Sequence, residues 1–145
     1  MTAPDELFGR LRRAPDVEAP ELVAVDATDR LLLDEAAASL ALCGPGEVAV
    51  VDDAYGALTL GAVALHGVSD VRVSQDLLVG ERALARNAER TGLTGTYRSL
   101  PWPRSRRARG WCWCRRPSRW TRCARSPSRW RPWPHPTSPC SSAAA

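Results

Sequence analysis

The stretch Val50-Val51-Asp52-Asp53-Ala54-Tyr55-Gly56-Ala57-Leu58 decides how this chain is read. It closes a β-branched run from Glu47 to Val51, which has the unbroken apolar character of a strand buried on both faces of a parallel sheet. Two carboxylates end the run and a turn of small residues follows. Leu58 to His66 then has a helical pattern, closed by Gly67. Strand, tight turn and helix make the opening of a βαβ unit.

The pattern continues on both sides. Asp70 to Ser74 alternates as a second strand. Leu77 to Leu93 predicts a long helix with Leu77, Leu78, Leu84, Ala85 and Ala88 on its apolar face and Gly92 near its end. Thr96 to Leu100 begins a third strand. Upstream, Asp26 or Thr28 is placed to cap a helix whose Leu31, Leu32, Ala36 and Leu40 recur at helical spacing, and Gly44-Pro45 stops it. A short helix over Asp5 to Arg13 would set Leu7, Phe8 and Leu11 on one side. Strands alternating with helices imply an α/β fold with parallel pairing and right-handed crossovers. The expectation is an incomplete Rossmann-like domain of two to three parallel strands.

Composition divides the 145 residues in two near Arg98. All sixteen acids and nine of the twenty arginines lie up to Arg98, a formal charge of −7, and the remaining eleven arginines follow it with no acid. All six tryptophans, four of the five cysteines and eight of the twelve prolines also lie after Leu100. Lysine and isoleucine are absent, which points to a GC-rich genome. The expected organisation is a flexible segment over 1–20, a partial α/β domain over 21–100 and an irregular, unfolded tail over 101–145. Met1 to Arg13 lacks the apolar core of a signal peptide, and no apolar run approaches the length of a spanning helix. A cytoplasmic protein with no membrane partner is expected, its cysteines being thiols.

In such sheets ligands bind beyond the carboxyl ends of the strands, here Asp52 to Ala57 and Ser74 to Asp76. A nucleotide-like cofactor needs a glycine where backbone approaches it and a carboxylate for its ribose hydroxyls. The turn offers Gly56, with Ala54 and Leu58 where further glycines are expected, and Asp76 lies at the second strand end. The bland alternative is that Gly56 only permits the turn and Asp76 caps the helix at Leu77.

Val50 to Leu58 resembles the first motif of class I S-adenosylmethionine-dependent methyltransferases. It is most similar to the amino-terminal domain of the bacterial ribosomal RNA guanine-N2 methyltransferases. Glu81-Arg82-Ala83-Leu84-Ala85-Arg86-Asn87 with Thr91-Gly92-Leu93, and Asp26-Ala27-Thr28-Asp29-Arg30-Leu31-Leu32-Leu33, are similar to the same domain, so that the likeness spans roughly residues 22 to 100. It implies two methyltransferase-like domains in tandem. The carboxyl-terminal one holds S-adenosylmethionine and an Asn-Pro-Pro-Phe/Tyr motif for the target amine. The amino-terminal one is a degenerate copy that aids ribosomal RNA binding and folding. By that resemblance Asp52, Ala54, Gly56 and Asp76 mark a relic cofactor pocket, no residue here is catalytic, and this chain, truncated or frameshifted, is inactive alone and does not bind the cofactor.

The tail admits several readings. Arginine neutralises phosphate and tryptophan stacks on unpaired bases, so a non-enzymatic RNA-binding segment is the alternative function. Cys112, Cys114, Cys123, His135 and Cys140 have poor spacing for zinc. A Pro-rich, charged stretch without periodicity is also consistent with disorder. Codon structure offers a fourth reading. Moving every boundary in Trp111-Cys112-Trp113-Cys114 one base upstream gives Leu/Val/Met, Val, Leu, Val whatever the unknown bases, which is a buried strand. Trp120 to Cys123 becomes Leu/Val/Met, Asp, a small residue and Leu/Val/Met, and Pro117-Ser118-Arg119 can give a Pro-Lys-Ser type run. The product resembles the fourth strand and following helix of the same family domain, as if the frame shifts between Arg98 and Trp111.

Among single residues, Cys43 reads as a buried thiol, His66 as a helix-end or surface residue, and Tyr55 as half-buried packing rather than a base-stacking ring. No nucleophile–base pair can be assembled.

Overall fold

The computed structural model describes residues 4–101 and, as backbone, 111–114 and 119–122. Four helices, α1 (Pro4–Arg10), α2 (Ala27–Leu40), α3 (Ala57–His66) and α4 (Leu78–Thr91), accompany five strands. The strands are β1 (Val48–Val51), β2 (Val71–Ser74), β3 (Tyr97–Ser99), β4 (Trp111–Cys114) and β5 (Arg119–Arg122). They form one sheet in the order β3-β2-β1-β4-β5. The pairs β1–β2, β2–β3 and β1–β4 are parallel, with Val50 opposite Val73 and Trp113, and β4–β5 is antiparallel. This is the α/β architecture expected from the alternation of elements.

Each element forms for a local reason. At the start of α2, the Asp26 carboxylate accepts from the Asp29 amide at 2.9 Å and the Asp29 carboxylate accepts from the Asp26 amide at 3.1 Å. This reciprocal capping box satisfies two donors that helix geometry leaves open. Helices α3 and α4 end at Gly67 and Gly92, at φ +69° and +74°, a left-handed conformation that favours glycine. The β1 run Val48-Ala49-Val50-Val51 is buried at every position, as its unbroken apolar character predicts. The connections β1–α3–β2 and β2–α4–β3 step in the same direction, so one hand of crossover places α3 and α4 on one face. Helix α1 packs against both.

The core gathers Leu7, Phe8 and Leu11, then Leu32, Leu33, Ala36 and Leu40 of α2, Val48 and Val50 of β1, Val71 and Val73 of β2, Leu58 and Leu60 of α3 and Leu84 and Ala88 of α4. Several expectations need correction. Residues 4–20 are not a flexible segment standing apart, because Leu7, Phe8 and Leu11 are buried in the core. On α2 the buried stripe includes Leu33, while Leu31 is exposed. On α4 the face is rotated: Gly80, Ala83, Leu84, Asn87 and Ala88 are buried, and Leu77, Leu78 and Ala85 face solvent. Within the tail, 111–114 and 119–122 have strand backbone; the rest of the segment expected to be irregular lies outside the described residues.

Helices α2 and α3 meet closely at Gly61. A Cβ there would lie 2.5 Å from Leu33 Cδ1, and Leu33 is almost fully buried. Leu33→Ala should therefore cost about 2–5 kcal/mol of unfolding free energy, the usual range for emptying a packed leucine site. A urea titration checks this, and a loss under about 1 kcal/mol contradicts the packing described.

Candidate functional site: the turn after the first strand

Backbone geometry at the end of β1 is unusual. Asp52 has φ +59°, in the left-handed region, and its amide donates to Ser74 O at 3.0 Å, tying the ends of β1 and β2 together. Asp53 then turns inward. Its side chain is almost wholly buried, with Oδ2 accepting from the Thr59 amide at 2.8 Å and Oδ1 from the Leu58 amide at 3.3 Å. These are amides of the first turn of α3, where unpaired N–H groups and the helix dipole favour an anion. The anion is supplied by the chain itself.

Gly56 precedes α3 at φ +90°, and a Cβ there would lie 2.6 Å from Leu84 Cδ1. The turn is thus pressed against α4. Asn87, fully buried in α4, ties it further. Its Nδ2 donates to Tyr55 O and to Arg12 O, both at 2.8 Å, and its Oδ1 accepts from the Arg12 amide at 3.0 Å. The segment after α1 then lies over the turn. Tyr55 OH donates to Asp16 Oδ2 at 2.6 Å, and the Arg13 guanidinium sits 4.7 Å from the Tyr55 ring centre and 3.3 Å from the same carboxylate. The Tyr55 bond, followed by the Val17 amide and the Arg13 charge, holds the Asp16 carboxyl below the usual carboxylate range.

The four positions expected to form a cofactor pocket are brought to the same end of the sheet, at different depths. Gly56 is buried, Ala54 and Asp52 are half-buried and Asp76 is exposed. Gly80 fills the interval between the two strand ends: a Cβ there would lie 3.2 Å from Ala54 O and 2.0 Å from Gln75 Oε1. A cleft of about 670 Å³ lies between α1, the following loop and the start of α2, and one of about 290 Å³ between α4 and β3. Neither is lined by Asp52, Ala54, Gly56 or Asp76. Among the described residues, Asp53 takes first-turn amides of α3 and Gly80 closes on Ala54, so groups that would face a cofactor at this turn are already engaged by the chain. The bland alternative for Asp76 is also corrected, since α4 starts from Leu77 with no side-chain cap.

Sequence reasoning missed Asp53 and Asn87. Adjacent Asp52 and Asp53 look equivalent until the chain turns, but Asn87 had a signal, being polar on the apolar face that carries Leu84 and Ala88. Cys43 is half-buried rather than buried, with Sγ donating to Ser39 O at 3.3 Å; burial and then Glu47 raise its pKa. Tyr55 is half-buried, and His66 is the last residue of α3, as expected. Among the described residues no group of three or more His, Cys, Asp or Glu could hold a metal ion; the side chains of the tail cysteines and His135 are not among them. Among the described residues no helix is long and apolar enough to cross a membrane.

The family model of the RLMG N-terminal domain matches residues 2–108. The chain belongs to this family. The RLMG N-terminal domain is the amino-terminal domain of a ribosomal RNA methyltransferase family, so the sequence resemblance holds, and it extends over α1 as well. No curated protein matches the chain.

Two predictions concern how the turn is held. Asn87→Ala removes the partner of three part-buried backbone groups and Asp53→Ala that of two buried first-turn amides, so each variant should lose at least about 1–3 kcal/mol of unfolding free energy, the cost of a buried group left without a partner. Chemical denaturation of both variants checks this, and a loss under about 1 kcal/mol in either contradicts the bonds described. Acid should also loosen the fold. Asp16 is held below its ordinary 3.8, and His66 below its ordinary 6.5, chiefly by burial and against the opposing Asp34 charge and Leu33 backbone bond. Both groups contribute stability that is present above the ordinary value and lost as pH falls through the folded one. The melting temperature should start to fall below about pH 6.5, and His66→Gln should remove the first part of that fall. A profile unchanged in the variant argues against His66.

Proposed function

We propose that this chain provides the non-catalytic, amino-terminal half of an S-adenosylmethionine-dependent methyltransferase acting in the cytoplasm on a guanine N2 amine of ribosomal RNA. The observation that carries this reading is the self-filled turn: Asp53 occupies the amides that a cofactor-binding turn leaves for its ligand. The 145 residues also contain no Asn-Pro-Pro motif. Asp52, Ala54, Gly56 and Asp76 are then the remains of a pocket, and the domain acts by holding RNA and supporting its partner domain.

The described surface has one feature suited to RNA. Arg82, Arg86 and Arg90 recur every four residues on α4 and all three are exposed, a row with about 6 Å between neighbours. Ordinary solvation accounts for such a row as well, so the test must be functional. The full chain should bind a ribosomal RNA fragment in a salt-sensitive manner. Replacing the three arginines by glutamine should flatten the plot of log affinity against log salt by about 2, at about 0.7 per lost contact to single-stranded RNA. Calorimetric titration with S-adenosylmethionine should give no binding heat. Micromolar binding of the cofactor overturns the non-catalytic reading. RNA binding that survives the α4 substitutions but is lost when the tail arginines are replaced moves the function to the Arg/Trp-rich tail.

A further inference from the structure

The sheet places β4 directly beside β1, in parallel register from Val48–Trp111 to Val51–Cys114. With β2 on its other side, β1 is an interior strand, and β4 continues the parallel run past it. Interior strands of parallel sheets are near-continuous runs of Val, Ile and Leu, and β1 itself is Val-Ala-Val-Val, buried throughout. Trp-Cys-Trp-Cys is a foreign composition at this site. The family match also stops at residue 108, three residues before β4 begins.

We infer that the codons for β4 and the residues after it are the genuine continuation of the domain, read one base late. In a GC-rich gene, valine and leucine are commonly written GTG and CTG. A run CTG-GTG-CTG-GTG read one base late yields TGG-TGC-TGG, which is Trp-Cys-Trp. A strand that should be aliphatic therefore surfaces as tryptophan and cysteine. This accounts for the six tryptophans after Leu100 and none before it. Read back by one base, the four β4 positions become Leu/Val/Met-Val-Leu-Val irrespective of the unknown bases, the composition that the neighbour of β1 requires. Trp102, Trp130 and Trp133 likewise each become Leu, Val or Met followed by a residue with a G-initial codon. For Trp102 and Trp133, each followed by proline, that residue is alanine. The direction is fixed too: a reading one base late follows the loss of one base, or the gain of two, between the codons for Arg98 and Trp111. This inference concerns the chain after Arg98 and stands whether or not the domain binds RNA.

The experiment is an independent nucleotide read of gene and transcript across those codons, with peptide mass spectrometry of the protein from its source cells. One additional base in the interval supports the inference. So does recovery of peptides from the restored frame even where the nucleotides agree with the printed one, because the ribosome then makes the shift. The restored-frame chain should also unfold in one cooperative transition at a higher midpoint than the printed chain. A stop codon in the restored frame between Trp111 and Cys123 overturns the inference. So does recovery of the tryptic peptide Gly110 to Arg115 from a transcript whose frame is confirmed, since that peptide exists only in the printed frame.

Discussion

The contact on which the rest of this structure depends is the Asp53 carboxylate at the first turn of α3. A helix start inside a protein leaves amides that must find a partner, and an N-terminal dipole that favours negative charge. Asp53 meets both needs from within, with bonds to the Leu58 and Thr59 amides. For it to reach them the chain must reverse directly after β1, and Asp52 at φ +59° and Gly56 at φ +90° provide that reversal. The tight turn then lets Leu84 of α4 approach Gly56. One buried carboxylate thus fixes how closely the second crossover helix can sit on the first.

The approach of α4 in turn gives the amino-terminal segment a place to bind. Asn87 has a limited set of donors and acceptors; besides the Arg90 guanidinium at its Oδ1, its partners are backbone groups of the turn and of Arg12. Backbone partners cannot be lost by substitution at those positions, so the stitch depends on Asn87 alone. Phe8 and Leu7 of α1 then cover the core beneath. The outer layer of Asp16, Tyr55 and Arg13 is more exposed and its ion pair contributes little in water. Its effect is on the pH range over which the cover stays in place.

What was legible in the sequence was whatever local chemistry dictates. The capping box at Asp26 and Asp29, the glycine ends of α3 and α4, and the apolar β1 run follow from rules acting over a few residues. What was not legible was rotation. An α4 face drawn through Leu77, Leu78 and Ala85 is as hydrophobic as the observed one, and it loses because the close approach to the β1 turn requires Gly80 and Asn87 at the contact. That approach is a tertiary fact. The same holds for the candidate site: its residues were placed at the correct ends of the correct strands, but their collapse onto one another depends on which of two adjacent aspartates turns inward. The family resemblance supplied the idea of a relic pocket, which residue pattern alone left open.

On the proposed reading, the closed turn would also resist opening for a cofactor. Removing Asp53 frees two amides, but the space in front of them is still limited by Gly80 against Ala54 and by Leu84 against Gly56. Opening that space requires α4 to move outward, which breaks the Asn87 bonds to Tyr55 and Arg12 and releases the segment that follows α1. Each step leaves backbone groups without their partners before any ligand can replace them. A cofactor-binding turn keeps its helix amides available and accepts a less stable unliganded state, whereas this turn satisfies them internally. The stability of the turn is therefore held in a single carboxylate and the helix packed against it.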